Sequence, residues 1–111
     1  MKIAIVGSRN MIPEHIEEYV TDEDEIVSGG AVGVDQYAAT YARNHALRLT
    51  EFLPQYTLYG RAAPIVRNKA IVDYCDQVVA FWDGHSKGTL SVIKYAKKIG
   101  KPCTVVLINT N

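Results

Sequence analysis

The chain has 111 residues, 48% of them hydrophobic, and its 12 basic and 12 acidic side chains give a formal net charge of +0 at pH 7. The apolar content excludes intrinsic disorder, and the charge balance argues against a protein whose main role is to coat nucleic acid. A chain of this length is expected to fold as a single domain, residues 1–111, around one hydrophobic core. The two cysteines and three histidines fall in no metal-ligand or redox spacing, so we expect reduced thiols and no bound metal or cofactor.

No apolar run in the sequence is long enough for a membrane span, since about 18 such residues are needed. The first run, residues 2–6, is also too short for the hydrophobic part of a signal peptide. We therefore expect a soluble, cytoplasmic protein without a membrane partner.

Five runs of apolar and β-branched residues predict strands, and segments with helical periodicity separate them. The predicted strands cover residues 2–6, 25–28, 47–53, 77–82 and 103–108. The predicted helices cover residues 13–20, 33–46 and 64–74, followed by a last helix that ends before Gly100. Because the strands lack polar alternation, they suit a parallel sheet that is covered by helices on both faces. The order of elements predicts an α/β fold, a three-layer, Rossmann-like, doubly wound parallel sheet of five strands in the order 3-2-1-4-5.

Three glycine-bearing loops follow the first, second and fourth predicted strands. They are residues 7–9, 28–33 and 83–89. Ligands of such sheets bind beyond the carboxyl ends of the strands, where the direction of winding reverses, and these loops meet there. Glycines let the backbone approach a ligand, and the helix that each loop opens attracts negative charge. The sequence therefore predicts a binding site for a phosphate-bearing ligand at this edge of the sheet.

Side chains in and near these loops supply hydrogen-bond donors for such a ligand. Small hydroxyl groups come from Ser8, Ser28, Ser86 and Thr89. Arg9 and Arg67 can each hold a phosphate through two parallel hydrogen bonds.

Other positions near the predicted site have more than one interpretation. Asp35, in the first turn of the second helix, either complements the helix dipole or accepts a hydrogen bond from a ribose hydroxyl. Asp83 is either a turn residue or a polar group beside the ligand. In the loop of residues 54–60, Tyr56 and Tyr59 either stack on a base, or close the site as a lid, or pack on their own loop.

Four short motifs follow one another along the chain. They are Gly7-Ser8-Arg9, Ser28-Gly-Gly-Ala-Val-Gly-Val-Asp35, Gly60 with Arg67-Asn68, and Ser86-Lys-Gly-Thr89. In this set the chain resembles the SLOG superfamily, which includes the Lonely Guy phosphoribohydrolases, the DNA-processing protein DprA and the YspA- and YpsA-related proteins. The resemblance spans nearly the whole chain and implies a Rossmann-like domain that binds nucleotides or nucleotide-derived ligands.

Carried over residue by residue, the resemblance implies ligand contacts from each motif. The implied residues are Gly7, Ser8, Arg9, Ser28, Gly29, Gly30, Asp35, Arg67, Asn68, Gly88 and Thr89. To these the loops add Gly33, Tyr59, Asp83 and Ser86. Asp35 and Arg67 are the candidates for catalysis. The Lonely Guy enzymes use a glutamate for glycosidic cleavage where this chain has Val92, and a valine cannot activate water or stabilise an oxocarbenium-like sugar.

These observations favour a binding protein, namely a sensor, carrier or scavenger of a nucleotide or a nucleotide-derived ligand. The alternative is a nucleotide N-glycosidase or a phosphoribohydrolase-like hydrolase or transferase, in which Arg67 holds the phosphate and Asp35 holds the ribose or water. A weaker alternative is contact with single-stranded nucleic acid through basic side chains and tyrosines, which the balanced charge does not favour. Because related folds often dimerise through helix faces, we expect a homodimer or a higher homo-oligomer.

Overall fold

The computed structural model describes residues 1–107 of the chain, in which the strands form a five-stranded sheet. The strands are β1 (Lys2–Gly7), β2 (Glu25–Ser28), β3 (Arg48–Glu51), β4 (Gln77–Trp82) and β5 (Cys103–Leu107). Neighbouring strands are all parallel, and they lie in the order β3-β2-β1-β4-β5. The predicted order is therefore confirmed. Ile108, the last residue of the predicted fifth strand, lies outside the described residues.

Helices cover both faces of this sheet. Within the described residues they are α1 (Val34–Asn44), α2 (Tyr56–Tyr59), α3 (Ala63–Tyr74) and α4 (Lys87–Ile99), together with 3-10 turns at Ile16–Glu18 and Gly60–Ala62. One face of the sheet packs against α1 and the first 3-10 turn, and the other face packs against α3 and α4. This arrangement confirms the predicted three-layer, Rossmann-like α/β fold.

Side chains of β1 alternate between two hydrophobic cores, one on each face of the sheet. Ile3 and Ile5 pack with Val34 of α1, whereas Ala4 and Val6 pack with side chains of α3 and α4. All four strand residues are at most 5% exposed, so neither face of β1 meets solvent. This double burial explains why the sequence of β1 is continuously apolar and does not alternate with polar residues.

The first predicted helix, over residues 13–20, is wrong. This segment contains only the 3-10 turn Ile16–Glu18. His15, just before the turn, has a left-handed backbone with φ of 60°, and such a conformation cannot belong to a right-handed helix. The segment nevertheless buries Ile16 and Val20 in the core beside α1, together with Met11 just before it.

Two boundaries around β3 also differ from the prediction. The strand covers Arg48–Glu51, shorter than the predicted residues 47–53, because its partner β2 offers only four residues for pairing. In the predicted loop of residues 54–60, Tyr56–Tyr59 forms the short helix α2. None of the α2 residues is buried, so this segment lies on the surface as the loop prediction expected.

Both ends of α4 carry residues that favour helix termini, and only the C-terminal end was predicted. Ser86 precedes the helix, and its Oγ accepts a hydrogen bond from the Thr89 amide at 3.4 Å. A serine at this position satisfies one of the amides that have no partner within the first turn. The helix ends before Gly100, as predicted, with Lys97 and Lys98 in its last turn. Their positive charges complement the negative end of the helix dipole.

No helix within residues 1–107 is at once long enough and apolar enough to cross a membrane. In the same range, no three His, Cys, Asp or Glu side chains lie close enough together to share a metal ion. Cys75 is buried and Cys103 is half-buried, and both are free thiols whose pKa is raised by burial.

Candidate functional site

A cleft of about 140 Å³ opens beyond the carboxyl end of β1. Predicted site residues from the loops and from α1 and α3 line it, namely Gly7, Arg9, Asp35, Arg67, Asn68, Ser86, Gly88 and Thr89. The remaining lining residues are Val6, Ala31, Pro64 and Val92. The structure thus brings residues more than 80 positions apart in the sequence into one recess, at the edge where the winding reverses.

Asp35 is the most deeply buried charged group of the cleft. Its side chain begins in the first turn of α1, and the residue is only 6% exposed. One carboxylate oxygen, Oδ2, accepts a hydrogen bond from the Ala31 amide at 3.3 Å. The other, Oδ1, has no partner among the described residues. Buried acceptors in proteins are nearly always paired, so this oxygen is an exception at the wall of the cleft.

The pKa of Asp35 is raised to about 6. Burial is the main cause, since removal from water disfavours the charged carboxylate. The Ala31 amide, the positive charge of Arg67 and the amides of Gly29 and Gly7 oppose the shift, in that order. The group therefore changes its charge close to neutral pH, where an ordinary aspartate is fully ionised.

Arg67 and Asp35 both lie close to Gly29. A Cβ built on Gly29 would be 2.8 Å from Asp35 Oδ2 and 2.9 Å from Arg67 Nη1. A side chain there would displace the end of the Asp35 or the Arg67 side chain. Arg67 donates from Nη1 to the Gly29 carbonyl oxygen and from Nε to Asn68 Oδ1 at 2.8 Å. These two bonds fix the plane of the guanidinium group.

A chain of hydrogen bonds connects Arg67 to the first turn of α4. Asn68, which accepts from Arg67, donates from Nδ2 to Ser91 Oγ at 3.5 Å. Ser91 in turn donates from Oγ to the Gly88 carbonyl oxygen at 2.8 Å. The predicted ligand residue Asn68 is therefore also a positioning residue for Arg67. Ser91 was not predicted, because a serine in the middle of a helical pattern carries no signal for such a contact.

The loop between β4 and α4 is held by its own polar groups. Asp83 Oδ1 accepts from the amides of His85 and Ser86, both at 2.8 Å. The Ser86 amide, followed by that of His85, lowers the pKa of the Asp83 carboxyl. The carbonyl oxygen of Ser86 accepts from Trp82 Nε1 at 3.0 Å. Asp83 does not line the cleft, so the structure supports its interpretation as a turn residue that presents Ser86 to the site.

Two of the predicted hydroxyl donors form hydrogen bonds within the protein. Ser8, 2% exposed, accepts from the Asp83 amide at 3.4 Å and so joins the loops that follow β1 and β4. Ser28 is fully buried, and its Oγ donates to the Asp35 carbonyl oxygen at 3.1 Å and accepts from the Gly30 amide at 3.3 Å. Neither serine lines the cleft. Both hydroxyls hold the loops in place around Asp35.

Gly33 allows two of the loops to touch. Its φ is 84°, and a Cβ built on it would collide with the backbone of Arg9. Only glycine readily combines this conformation with so close a contact. Gly30, two positions after Ser28, packs beneath Leu53 and also stays outside the cleft.

Tyr59 faces a different recess. It is 46% exposed on α2 and lines a groove next to the cleft, in which Arg67 also takes part. Tyr56, one turn earlier, is 59% exposed and lines neither the cleft nor the groove. The sequence leaves the same alternatives open for both tyrosines, but in the structure only Tyr59 lines the groove.

Residues that were not predicted as ligand contacts also line the cleft. Val92 is 2% exposed and lines the cleft from α4, at the position where the Lonely Guy resemblance would require a glutamate. Ala31 contributes its amide to Asp35, and Pro64 lines the cleft from the first turn of α3. The position of Pro64 at a helix start was visible in the sequence, but its distance from the loops was not.

The sequence matches no family model and no curated protein. Membership of the SLOG superfamily therefore stays a prediction, which depends on the four short motifs. The description of the cleft depends on the positions of its residues in the structure and not on membership of that superfamily.

Proposed function

We propose that this chain binds a nucleotide, or another nucleotide-derived ligand with a phosphate group, in the cleft at the carboxyl edge of the sheet. One observation carries the proposal. A buried carboxylate with an unpaired oxygen, Asp35, lies in the same recess as Arg9, Arg67 and the first turn of α4. The recess thus combines a hydrogen-bond acceptor with a group of anion-binding donors. A ribose phosphate has hydroxyl donors and an anionic group in just this combination.

The phosphate is expected at the side of the cleft formed by Arg9, Arg67 and Gly88. Amides in the first turn of a helix have no partner within the helix and attract anions. Arg67 uses Nε and Nη1 within the protein, which leaves donors of its guanidinium group for the ligand. Asp35 is the only carboxylate that lines the described cleft, so positive groups outnumber negative ones there.

The sugar is expected at Asp35. A carboxylate oxygen that has lost its water and has no protein donor gains a strong, charge-assisted bond from a ligand hydroxyl. A ligand without that hydroxyl leaves the oxygen unpaired, and sites of this kind discriminate strongly against such analogues. Ribose ligands should therefore bind better than their 2′-deoxy or 3′-deoxy counterparts.

Isothermal titration calorimetry with ribonucleoside monophosphates, ADP-ribose and ribose 5-phosphate tests the proposal. We expect at least one of them to bind, and Arg67→Ala and Asp35→Asn each to weaken binding by roughly 10- to 100-fold, the value of a charge-assisted hydrogen bond. Two exposed residues outside the cleft, Arg61 and Asp22, provide the matched controls Arg61→Ala and Asp22→Asn. Absence of binding by every phosphorylated compound, with the protein folded, contradicts the proposal.

A second candidate function is hydrolysis of the glycosidic bond of such a ligand. The observation that favours it is the pKa of about 6 at a buried carboxyl with a free oxygen, since general acids and bases work best with a pKa close to the ambient pH. In this candidate, Asp35 activates water or protonates the leaving base.

Chromatographic detection of free base after incubation with nucleoside monophosphates separates the two candidates. Hydrolysis predicts release that Asp35→Asn abolishes and Asp22→Asn leaves unchanged. If the nucleotide binds but no free base is released, hydrolysis is contradicted and binding remains the proposed function.

A further inference from the structure

We propose that the groove next to the cleft holds an aromatic base of the ligand, with Arg67 between the base and the sugar phosphate. The inference depends on the proposed function and narrows it, because it makes the ligand a nucleotide with an intact base. A sugar phosphate alone would leave the groove empty.

The groove has a volume of about 220 Å³ and lies between the end of β3, α2 and α3. Its walls are mainly apolar and aromatic, from Phe52, Leu53, Tyr59 and Val66. Gln55 adds a side-chain amide, which can both donate to and accept from the edge of a base. A flat, apolar ring with polar edges fits a recess of this composition.

Arg67 connects the groove to the cleft, because it lines both. Its bonds to the Gly29 carbonyl and to Asn68 hold the guanidinium plane in one orientation. A planar guanidinium group with a fixed orientation offers its face for stacking on an aromatic ring while its edge binds an anion. One side chain can therefore contact the phosphate and the base of the same molecule.

The sizes of the two recesses support one shared ligand. Small-molecule sites usually have volumes of roughly 300–1,000 Å³. The cleft, at about 140 Å³, and the groove, at about 220 Å³, are each below this range, but the two combined reach it. The cleft alone suits only a fragment such as a sugar phosphate.

The exposure of the groove wall also favours a ring at this place. Leu53 is 62% exposed and Tyr59 is 46% exposed, and no residue of α2 is buried within the described chain. Apolar side chains gain free energy when a ligand covers them. A stacked base would cover both of these side chains together with the face of Arg67.

Titration calorimetry with the four ribonucleoside 5′-monophosphates and with ribose 5-phosphate, which lacks a base, tests the inference. We expect at least one nucleotide to bind at least tenfold more tightly than ribose 5-phosphate. Tyr59→Ala should weaken that nucleotide by roughly 5- to 150-fold, the usual value of base stacking on an aromatic ring. It should leave ribose 5-phosphate unchanged.

Tyr56→Ala is the matched control, because Tyr56 is an exposed tyrosine of the same short helix outside the groove. It should change neither affinity. Val66→Trp, which fills the groove from α3, should reduce nucleotide affinity to that of ribose 5-phosphate. This second variant shows whether a loss in Tyr59→Ala comes from the groove or from a disturbed α2.

The outcomes distinguish the two proposals. If ribose 5-phosphate binds as tightly as every nucleotide, or if Tyr59→Ala and Val66→Trp both leave nucleotide affinity unchanged, the groove does not hold a base, although the cleft still binds phosphate. If the groove variants weaken ribose 5-phosphate as much as the nucleotide, their effect is structural and the inference is wrong. If none of these compounds binds, the proposed function and the inference both fail.

Discussion

Asp35 and Asp83 both lie at the carboxyl edge of the sheet, in the loop regions after β2 and β4, yet their carboxylates have opposite environments. Asp83 is half-buried and accepts hydrogen bonds from two backbone amides, which lower its pKa. Asp35 is buried and has one backbone partner and one unpaired oxygen, and burial raises its pKa to about 6. Asp83 accepts two hydrogen bonds from its own loop, whereas one oxygen of Asp35 has no partner among the described residues.

If Asp35 binds a ligand, as we propose, the two aspartates should affect folding stability in opposite directions. Asp83 stabilises its own loop, so its removal should cost folding free energy. An ionised Asp35 is buried without full compensation, so it should reduce folding stability at neutral pH. Residues that lower the stability of the free protein while they line a cleft are typical of functional sites.

The pH dependence of stability gives the largest expected effect. Below pH 3.8 the Asp35 carboxyl is protonated in the folded and in the unfolded protein. The free energy of unfolding is then not reduced by burial of a charged carboxylate. Because the folded pKa is raised from 3.8 to about 6, part of this free energy is lost as the pH rises through that window. One pKa unit corresponds to about 1.4 kcal/mol, so the loss is about 3 kcal/mol at pH 7.5.

Urea unfolding of the wild-type protein and of Asp35→Asn between pH 4 and pH 7.5 measures this loss. The difference between the two proteins cancels the other titrating groups. We expect the free energy of unfolding of the wild type to fall relative to that of Asp35→Asn as the pH rises. At pH 7.5 the Asp35→Asn variant should be at least as stable as the wild type. A constant difference across this range would show that Asp35 ionises with an ordinary pKa.

Gly29→Ala should have the next largest effect, because it forces Asp35 and Arg67 apart. The added Cβ would lie 2.8 Å from Asp35 Oδ2 and 2.9 Å from Arg67 Nη1. Overpacking of this kind costs about 1–3 kcal/mol, and displacement of Arg67 should weaken ligand binding more than tenfold. Gly88→Ala is the control without a clash, since no atom lies within 4 Å of its added Cβ; because Gly88 lies in α4, alanine there should leave stability unchanged or raise it. An unfolding curve of Gly29→Ala equal to that of the wild type would mean that Gly29 is not a spacer.

The sequence predicted the sheet well for a physical reason. The residues of β1 and β4 are buried on both faces, so their apolar runs are long and lack alternation. The segment of residues 13–20 was less predictable, because the left-handed conformation of His15 has no signal in a residue that is neither glycine nor asparagine. The helix α2 was missed for a related reason, since its exposed Tyr56–Tyr59 segment shows no amphipathic pattern.

For the site, the sequence could predict which loops meet but not how their polar groups are shared. Ser8 and Asp35 look equally suited to a ligand in the sequence. In the structure, the Ser8 hydroxyl accepts from Asp83, 75 positions away, whereas Asp35 Oδ1 keeps no partner in the described chain. Which polar groups pair with each other depends on the positions of three loops relative to one another, and no local sequence pattern contains that information.

Asp83→Ala tests whether Asp83, in contrast to Asp35, stabilises the folded protein. It removes the acceptor of the His85 and Ser86 amides, so we expect a drop of a few degrees in Tm, in contrast to the gain expected for Asp35→Asn. Because the pKa of Asp83 is lowered, its stabilising effect is present above pH 3.8 and is lost as the pH falls below that value. Thermal unfolding of Asp83→Ala and of the exposed control Asp22→Ala at pH 3 and pH 7 measures both effects. A rise in Tm for Asp83→Ala would place Asp83 with the ligand residues.

Ser91→Ala should have the smallest effect and the most selective one. It removes the link between Asn68 and the Gly88 carbonyl oxygen but leaves both direct bonds of Arg67 in place. Ser91 is only partly exposed on a helix, where alanine is a better helix former, so the free energy of unfolding should stay within about 0.5 kcal/mol of the wild type. Affinity for a nucleoside monophosphate should fall by a few fold, and Ser91→Thr, which keeps the hydroxyl, should restore it. Loss of stability without loss of affinity in Ser91→Ala would show that this chain of hydrogen bonds supports α4 and does not position Arg67.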